Sequence, residues 1–311
     1  MPKLDNGSFG MAFGYQIDKA NATVGFEDST HTYFDLKSGD KYVSVTTLIK
    51  TYQPEFSAEF WASYKALEAL ADEISWLKIK PKLLQFKTFN DAYISDCGLN
   101  KSDFYDKKAE ILASYERAGK EACEKGTAKH LEKELSFYDD NTRDVKKYGI
   151  GGKFSCTKGK FVLDDEQGLY PELLISFDFQ GLRLCGQADL VVKSGNDVYI
   201  IDWKTSKKIE KTSFFDKNTK KYEMLKYPLN NIMASNFWAY SLQLSTYMYM
   251  LKCQNPEFRC AKLMIVQIDD NNKETVYECE YLEEDVKRML KHYQSKIQQA
   301  DVINRDKPII F

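Results

Sequence analysis

Residues 172–204 read ELLISFDFQGLRLCGQADLVVKSGNDVYIIDWK. Three strand-like runs stand out in it, Glu172–Phe179, Leu182–Val192 and Val198–Trp203, each rich in branched and aromatic side chains. The dipeptides Gln180-Gly181 and Gly195-Asn196 separate the runs, and each suits a two-residue hairpin turn. Gly-Asn is the stronger signal, because glycine takes a positive φ without steric cost. Centring the turns on these dipeptides sets the register: Glu172 faces Asp189, and Asp189 faces Asp202. Neighbouring Cα atoms in such a row lie roughly 4.5–5.5 Å apart. Period-two alternation puts Lys204 on the face of Asp202. A slip of one residue in either turn would send a carboxylate to the opposite face.

Carboxylates gathered in this way repel one another unless a cation or a proton intervenes. A hard divalent ion such as Mg²⁺ suits an oxygen-rich set of this kind. The alternative is that the acids are solvated on an open sheet. It fits poorly with the flanking Leu190-Val191-Val192 and Val198-Tyr199-Ile200-Ile201, which have the pattern of buried strands.

Gly186-Gln187-Ala188-Asp189 followed by Ile200-Ile201-Asp202-Trp203-Lys204-Thr205 resembles the core of the PD-(D/E)XK nucleases, in the branch named for the RecB nuclease domain. Ala188 stands where the motif has proline. Upstream, Gly126-Thr127-Ala128-Lys129-His130 is similar to the branch's glycine-to-histidine motif. Downstream, Gln243-Leu244-Ser245-Thr246-Tyr247 is similar to its Gln-x-x-x-Tyr helix signature. The motifs span residues 126–247. The resemblance implies an α/β, restriction-endonuclease-like core, a mixed central β-sheet flanked by helices, with an N-terminal extension.

The resemblance also implies roles for individual residues. Asp189, Asp202 and His130 would bind Mg²⁺ or Mn²⁺, with the Trp203 backbone carbonyl as a further ligand and Glu172 as an additional candidate. Lys204 would help position the attacking water and stabilise charge at the phosphate. Gln243 and Tyr247, an i,i+4 pair on one helix face, would hydrogen-bond near the metal or to DNA. Glu134, one turn beyond His130, is left outside this set. Lys207, Lys208, Lys211, Lys220 and Lys221 follow the active-site strand with Phe214, Phe215 and Tyr222 among them, a composition suited to gripping a strand. A solvated loop is the alternative there. Cys253, Cys260 and Cys279 are spaced too widely for the iron–sulfur cluster of some branch members, so none is expected.

The expected activity is phosphodiester hydrolysis by a phage-type exonuclease acting at single- or double-stranded DNA ends in recombination, repair or replication. A single-strand-annealing or replication protein would be its partner. A structure- or sequence-specific endonuclease is the alternative within the enzyme class, and a catalytically inactive nucleic-acid-binding protein is the alternative outside it.

Composition is compatible with this. The 311 residues are 43% hydrophobic and 29% charged, which is ordinary for a globular chain. A formal net charge of −2 argues against a uniformly basic coat but permits a local basic groove. The start lacks the apolar stretch of a secretory signal, and no run has the length of a membrane span. Seven scattered cysteines without a Cys-x-x-Cys pair point to reduced thiols and a cytoplasmic setting, the host's if the chain is phage-encoded.

Outside the decisive stretch, residues 22–36 and Tyr42–Val45 read as strands with a turn between them, followed by a short helix capped by Thr46 or Thr47. Helical spacing covers Phe56–Leu77, about 108–137 with glycine interruptions at Gly119 and Gly126, about 230–252 and about 282–299. A loop is expected at 149–152 and strands at 261–268 and 274–280. These elements give an expected division into an N-terminal α/β extension, 1–108, packed on a nuclease core, 109–311.

Overall fold

The computed structural model describes residues 24–27, 32–137, 154–157, 160–163, 167–217 and 219–305; the loop expected at 149–152 lies outside them. The elements are β1 (Val24–Glu27), β2 (Thr32–Asp35), β3 (Val43–Ser44), α1 (Val45–Lys50), α2 (Ala58–Leu70), α3 (Glu73–Phe86), α4 (Ala92–Asp96) and α5 (Lys101–Leu135). There follow β4 (Phe154–Thr157), β5 (Lys160–Leu163), β6 (Gln167–Phe179), β7 (Leu182–Ser194), β8 (Asp197–Lys204), β9 (Phe215–Asp216) and β10 (Lys221–Tyr222). The chain continues with α6 (Asn236–Gln254), β11 (Arg259–Ile268), β12 (Glu274–Cys279) and α7 (Glu283–Arg305).

β6, β7 and β8 form the antiparallel meander that the turn dipeptides specify, in the expected register. Phe179 pairs with Leu182 at the first turn, and Ser194 with Asp197 at the second. Gln180 and Gly181 both take positive φ, 51° and 89°, as a type I′ turn requires, whereas only Gly195 does so in the second turn. Here the glycine of each dipeptide is needed for its backbone and not for space, since nothing stands within 4 Å of a Cβ at either.

The other edge of β7 is divided between two neighbours. β8 pairs antiparallel with it from Ser194 only as far as Leu190, whose partner is Ile201, and β3 pairs parallel with Leu184 and Cys185. Beyond Ile201, β8 stays with β11, running parallel to it through Asp202, Trp203 and Lys204 opposite Ile265, Val266 and Gln267. β12 closes the sheet on the far side of β11. The sheet is therefore mixed, and a notch opens along the β7 edge between Cys185 and Leu190.

The larger core packs α1, α6 and α7 on one face of this sheet, around Leu184, Val191, Val198, Ile200, Leu244, Met248, Ile265 and Met289. The opposite face buries Leu169, Leu190, Trp203, Val266 and Ile268 with Phe137.

Local departures from the sequence reading have physical causes. The expected helix over Phe56–Leu77 is two helices. Ala71 is extended, and Asp72 accepts hydrogen bonds from the Ile74 and Ser75 amides, capping a fresh helix that reaches Phe86. The cap of α1 is Ser44, neither Thr46 nor Thr47: its hydroxyl accepts from the Thr47 amide, and both threonines already lie inside the first turn. α5 runs through Gly119 and Gly126 without a break, because the helix-favouring Ala, Glu and Lys around them offset about 1 kcal/mol lost at each glycine.

Two compact units are present. One comprises 1–54, 128–215 and 222–311, and the other 55–127 and 216–221. The second has its own core of Phe60, Tyr64, Leu67, Trp76, Ile79, Leu83, Ile94 and Phe104. The boundary expected at 108 falls within the continuous helix α5, and β3, which precedes residue 55, is a strand of the sheet in the first unit. No helix among the described residues is long and apolar enough to cross a membrane.

Ile200 is fully buried in the meander's inner face. Ile200→Ala should lower the unfolding free energy by about 2–5 kcal/mol in urea denaturation, with an unchanged secondary-structure spectrum below the transition.

Candidate active site

The meander places its acids where the ladder fails. Pro171 pairs with Leu190 and Leu173 with Ala188, so Glu172 and Asp189 stand opposite each other, yet they form no regular pair. Glu172 has φ +50°, an unusual conformation for a residue other than glycine. Strand alternation changes phase there. Tyr170 and Leu173 share one core although they are three positions apart, a step that regular alternation sends to opposite faces, and so do Ala188 and Val191. The carbonyl of Glu172 accepts a hydrogen bond from Gln187 Nε2 at 3.2 Å, which holds this irregularity.

Asp202 lies one step past the last β7–β8 pair and would be the next partner of Asp189. A side chain replaces the ladder instead: Asp189 Oδ2 accepts the Trp203 amide at 2.7 Å. Because the N–H and C=O of one strand residue face the same edge, the Trp203 carbonyl also faces β7. Its indole is buried on the opposite face against Phe137, with ring centroids 5.8 Å apart.

His130, on the last turns of α5, brings Nδ1 to 3.3 Å from Asp189 Oδ1. Donor atoms of His130, Glu172 and Asp189 all lie within 4.8 Å of one another, a spacing that a metal ion can bridge. The helix end bearing His130 is tied to the β11–β12 hairpin on both sides of the histidine. Lys129 Nζ donates to Asn272 Oδ1 at 3.0 Å, and Lys133 pairs with Glu274.

Asp202 stands apart from this trio of donors. Its Oδ2 is 2.6 Å from Lys204 Nζ, and its Oδ1 accepts from Gln243 Nε2 at 3.3 Å. The same Gln243 nitrogen donates to the Tyr247 hydroxyl at 3.2 Å. Gly186 makes room for this wall. A Cβ built on it would lie 2.5 Å from Tyr247 Cε1, so the glycine of the Gly-Gln-Ala-Asp motif is required by the close approach of that ring.

The electrostatics follow from burial. Glu134, Glu172, Asp189 and Asp202 are each less than a tenth exposed. Burial pushes the Glu172 carboxyl well above the usual carboxylate range, and the charges of Asp189, Glu134 and Asp202 add to this. Burial likewise raises Asp202, with Asp189 adding to it against the opposing Lys204, to about 6. Asp189 moves the other way: burial opposes its charge, but His130, Lys204 and the Trp203 amide prevail and hold it low. Burial opposes the cationic forms of His130 and Lys204, and the neighbouring carboxylates outweigh it and raise both. Burial keeps the Tyr247 phenol protonated.

The first compact unit thus brings together Glu172, Asp189, Asp202, Lys204, His130, Gln243 and Tyr247. Lys207, Lys208 and Lys211 follow β8 as exposed side chains on a pinned loop. Asn236 accepts from the Glu210 amide at 2.8 Å and donates to the Lys208 carbonyl at 2.7 Å, while Trp238 Nε1 donates to the Lys211 carbonyl at 3.0 Å. Lys220 and Lys221 are exposed and belong to the second unit. Three residues near the acids stood outside the sequence motifs. Glu134 is close enough to Glu172 for its charge to help raise that carboxyl, Tyr240 is under Lys204, and Tyr33 of β2 is close enough to Glu172 for its charge to help raise the phenol's pKa, after burial and Cys185. For Glu134, the i,i+4 spacing from His130 was the available signal.

A family model described as the PD-(D/E)XK nuclease superfamily matches residues 102–307. The chain belongs to that superfamily. This makes it a member of a family of hydrolases acting on nucleic acid, and the motif residues of β7 and β8 lie inside the matched range. No curated protein sequence matches the chain. Among solved structures, a "Putative exonuclease" from Eubacterium rectale aligns with 12% identity over 87% of this chain and 90% of its own, with a TM-score of 0.30. SSO0001 aligns with 18% identity over 46% of this chain, with a TM-score of 0.23, and the chain spans 53% of its length. Neither superposition is close enough to carry a functional argument.

Gly186→Ala should destabilise the protein by about 1–3 kcal/mol, because the Tyr247 ring is buried and cannot withdraw freely. In a double-mutant cycle read by urea unfolding, Gly186→Ala with Tyr247→Leu should cost less than the sum of the two single changes.

Proposed function

We propose that this nuclease-superfamily chain is a divalent-cation-dependent deoxyribonuclease, and that it works as an exonuclease on DNA ends. The observation that carries the reading is the meeting of Asp189, Asp202 and Lys204 at one notch with His130 and Glu172 beside them. Four buried carboxylates with one lysine leave negative charge that needs a cation or protons to be tolerated, and the donor set of imidazole and carboxylates suits Mn²⁺ or Mg²⁺. His130, Asp189, Asp202 and Glu172 would hold the ion, together with the Trp203 carbonyl. A bound divalent ion would supply a lowered pKa for water and neutralisation of phosphate charge.

The chain's own groups do the rest. Lys204, which the carboxylates keep cationic, would neutralise charge developing on the phosphate and orient the attacking water. Gln243 would hold Asp202 in place through its amide, with Tyr247 behind it. Lys207, Lys208 and Lys211 would meet backbone phosphates just beyond the active strand. Their loop is fixed by Asn236 and Trp238, which favours a defined path for the strand. Lys220 and Lys221 are proposed contacts on composition. Preference for ends rests on the likeness of the motifs at 126–130 and 243–247 to the RecB-like branch.

The test is incubation with end-labelled linear and closed circular DNA, with Mg²⁺, Mn²⁺ or EDTA. Cleavage of the linear substrate alone, abolished by EDTA, is the expected result. Nicked circles would replace the exonuclease reading by an endonuclease one, and binding without cleavage in any metal would identify an inactive DNA-binding protein. Asp202→Ala and Lys204→Ala should each reduce turnover by roughly 10²-fold or more, as removal of a charge-stabilising group does elsewhere.

Acid should weaken the site with a definite sign. Asp202 and Glu172 take up protons more readily than ordinary carboxylates, and the protonated forms do not ligate. Apparent Mn²⁺ affinity, measured calorimetrically, should fall as pH drops through about 6, with protons released on binding there. An affinity that stays level across this range would count against these carboxylates as ligands.

A further inference from the structure

Tyr240 belongs to none of the sequence motifs, yet it shares a face of α6 with Gln243 and Tyr247, three and seven residues further on. Its ring lies under the Lys204 ammonium, with Nζ 4.9 Å from the ring centroid. Its hydroxyl lies 3.0 Å from Ser206 Oγ, two residues past Lys204. Ser206 is itself held from the sheet. Gln267, less than a tenth exposed and the β11 partner of Lys204, donates from Nε2 to the Ser206 carbonyl at 2.7 Å. The Tyr277 hydroxyl donates to Gln267 Oε1 at 3.0 Å, which fixes the amide orientation.

We propose that Tyr240 is a positioning residue for Lys204: its ring face holds the ammonium, and the Ser206–Gln267–Tyr277 chain holds the ring. Lysine has a flexible four-carbon stem and a point charge, so one carboxylate contact leaves its head free to swing. Asp202 fixes the ammonium on one side only. A half-buried aromatic face attracts a cation and supplies a second, non-ionic contact that does not neutralise the charge. Lys204 therefore keeps its full charge while its position is fixed. The inference rests on the nuclease reading for its catalytic meaning, but the arrangement itself can be observed without turnover.

The test compares Tyr240→Phe, Tyr240→Leu and Gln267→Ala with the wild type on end-labelled linear DNA. Losing the ring should lower kcat about tenfold with KM nearly unchanged, the size expected from a half-buried cation–π contact, between the exposed and fully desolvated extremes. Tyr240→Phe, which keeps the ring face but loses the hydroxyl link to Ser206, should retain most of kcat, and Gln267→Ala, which acts only through that link, should lose no more than Tyr240→Phe. A kcat for Tyr240→Leu equal to wild type, a change confined to KM, or a Phe variant as impaired as the Leu variant would each overturn the proposal.

A second measurement uses protein labelled with ¹³C at lysine Cε, with the Lys204 resonance assigned through Lys204→Arg. That resonance should show an upfield ring-current shift in the wild type and Tyr240→Phe, and lose it in Tyr240→Leu. An unshifted Lys204 signal in the wild type would also overturn the proposal. If the wild type does not cut DNA but the shift is present, the nuclease reading fails and the placement of Lys204 over Tyr240 stands.

Discussion

The hydrogen bond from the Trp203 amide to Asp189 Oδ2 is the contact on which the site depends. A regular antiparallel pair would join β7 and β8 through main-chain bonds past Leu190 and Ile201, bringing the strands together there. The carboxylate takes the main-chain donor instead. β8 can then leave β7 and follow β11 without exposing an unpaired amide, whose burial would cost about 1–3 kcal/mol. The notch this leaves is where Asp189, Asp202 and Lys204 meet, and Tyr247 fills the space above Gly186 at its edge. One side chain thus serves both as a structural acceptor, through Oδ2, and as a member of the donor group with His130, through Oδ1.

The charges around this bond are graded by their surroundings. Asp189 has a cation-capable histidine, a lysine and a backbone amide nearby and stays ionised, whereas Glu172 has burial and three other acids against it. Asp202 lies between, because Lys204 offsets part of the penalty. Three carboxyl groups of similar intrinsic acidity therefore differ in affinity for protons within a few ångströms. A site of this kind can accept positive charge from a metal without all its acids having to change protonation together.

Much of this was legible in residues 172–204 because hairpins are local. Turn dipeptides fix register, and register fixes which acids face each other, so the row Glu172, Asp189, Asp202 followed from two turns. What period-two alternation could not convey was the phase change at Glu172. A positive φ at a glutamate has no compositional signature, unlike the glycines of the turns. The parallel pairing of β8 with β11 was also hidden, since parallel partners are joined by crossovers and no short-range signal marks them. For the same reason Tyr240 and Gln267 were not recognised as neighbours of Lys204. The two-helix arrangement of 58–86 was obscured because Asp72 interrupts a continuous apolar spacing, and a cap weighs little against that pattern. The family motifs located His130, Gln243 and Tyr247, which distance along the chain would otherwise have concealed.

The mixed character of the sheet has a kinetic consequence. The β6–β7–β8 meander closes through two-residue turns, so the acids gather by contacts between chain neighbours, which form quickly and at small entropic cost. The β8–β11 pairing must close over everything from Thr205 to Phe258, including α6. The wall of Tyr240, Gln243 and Tyr247 is therefore expected to assemble after the acid row it faces. On this expected order the cluster of carboxylates would be an open, hydrated hairpin surface, where like charges are screened by water, until the arrival of α6 and β11 removed that water. Assembly in this order would postpone the most unfavourable electrostatic state of the chain until the contacts that stabilise it are being made.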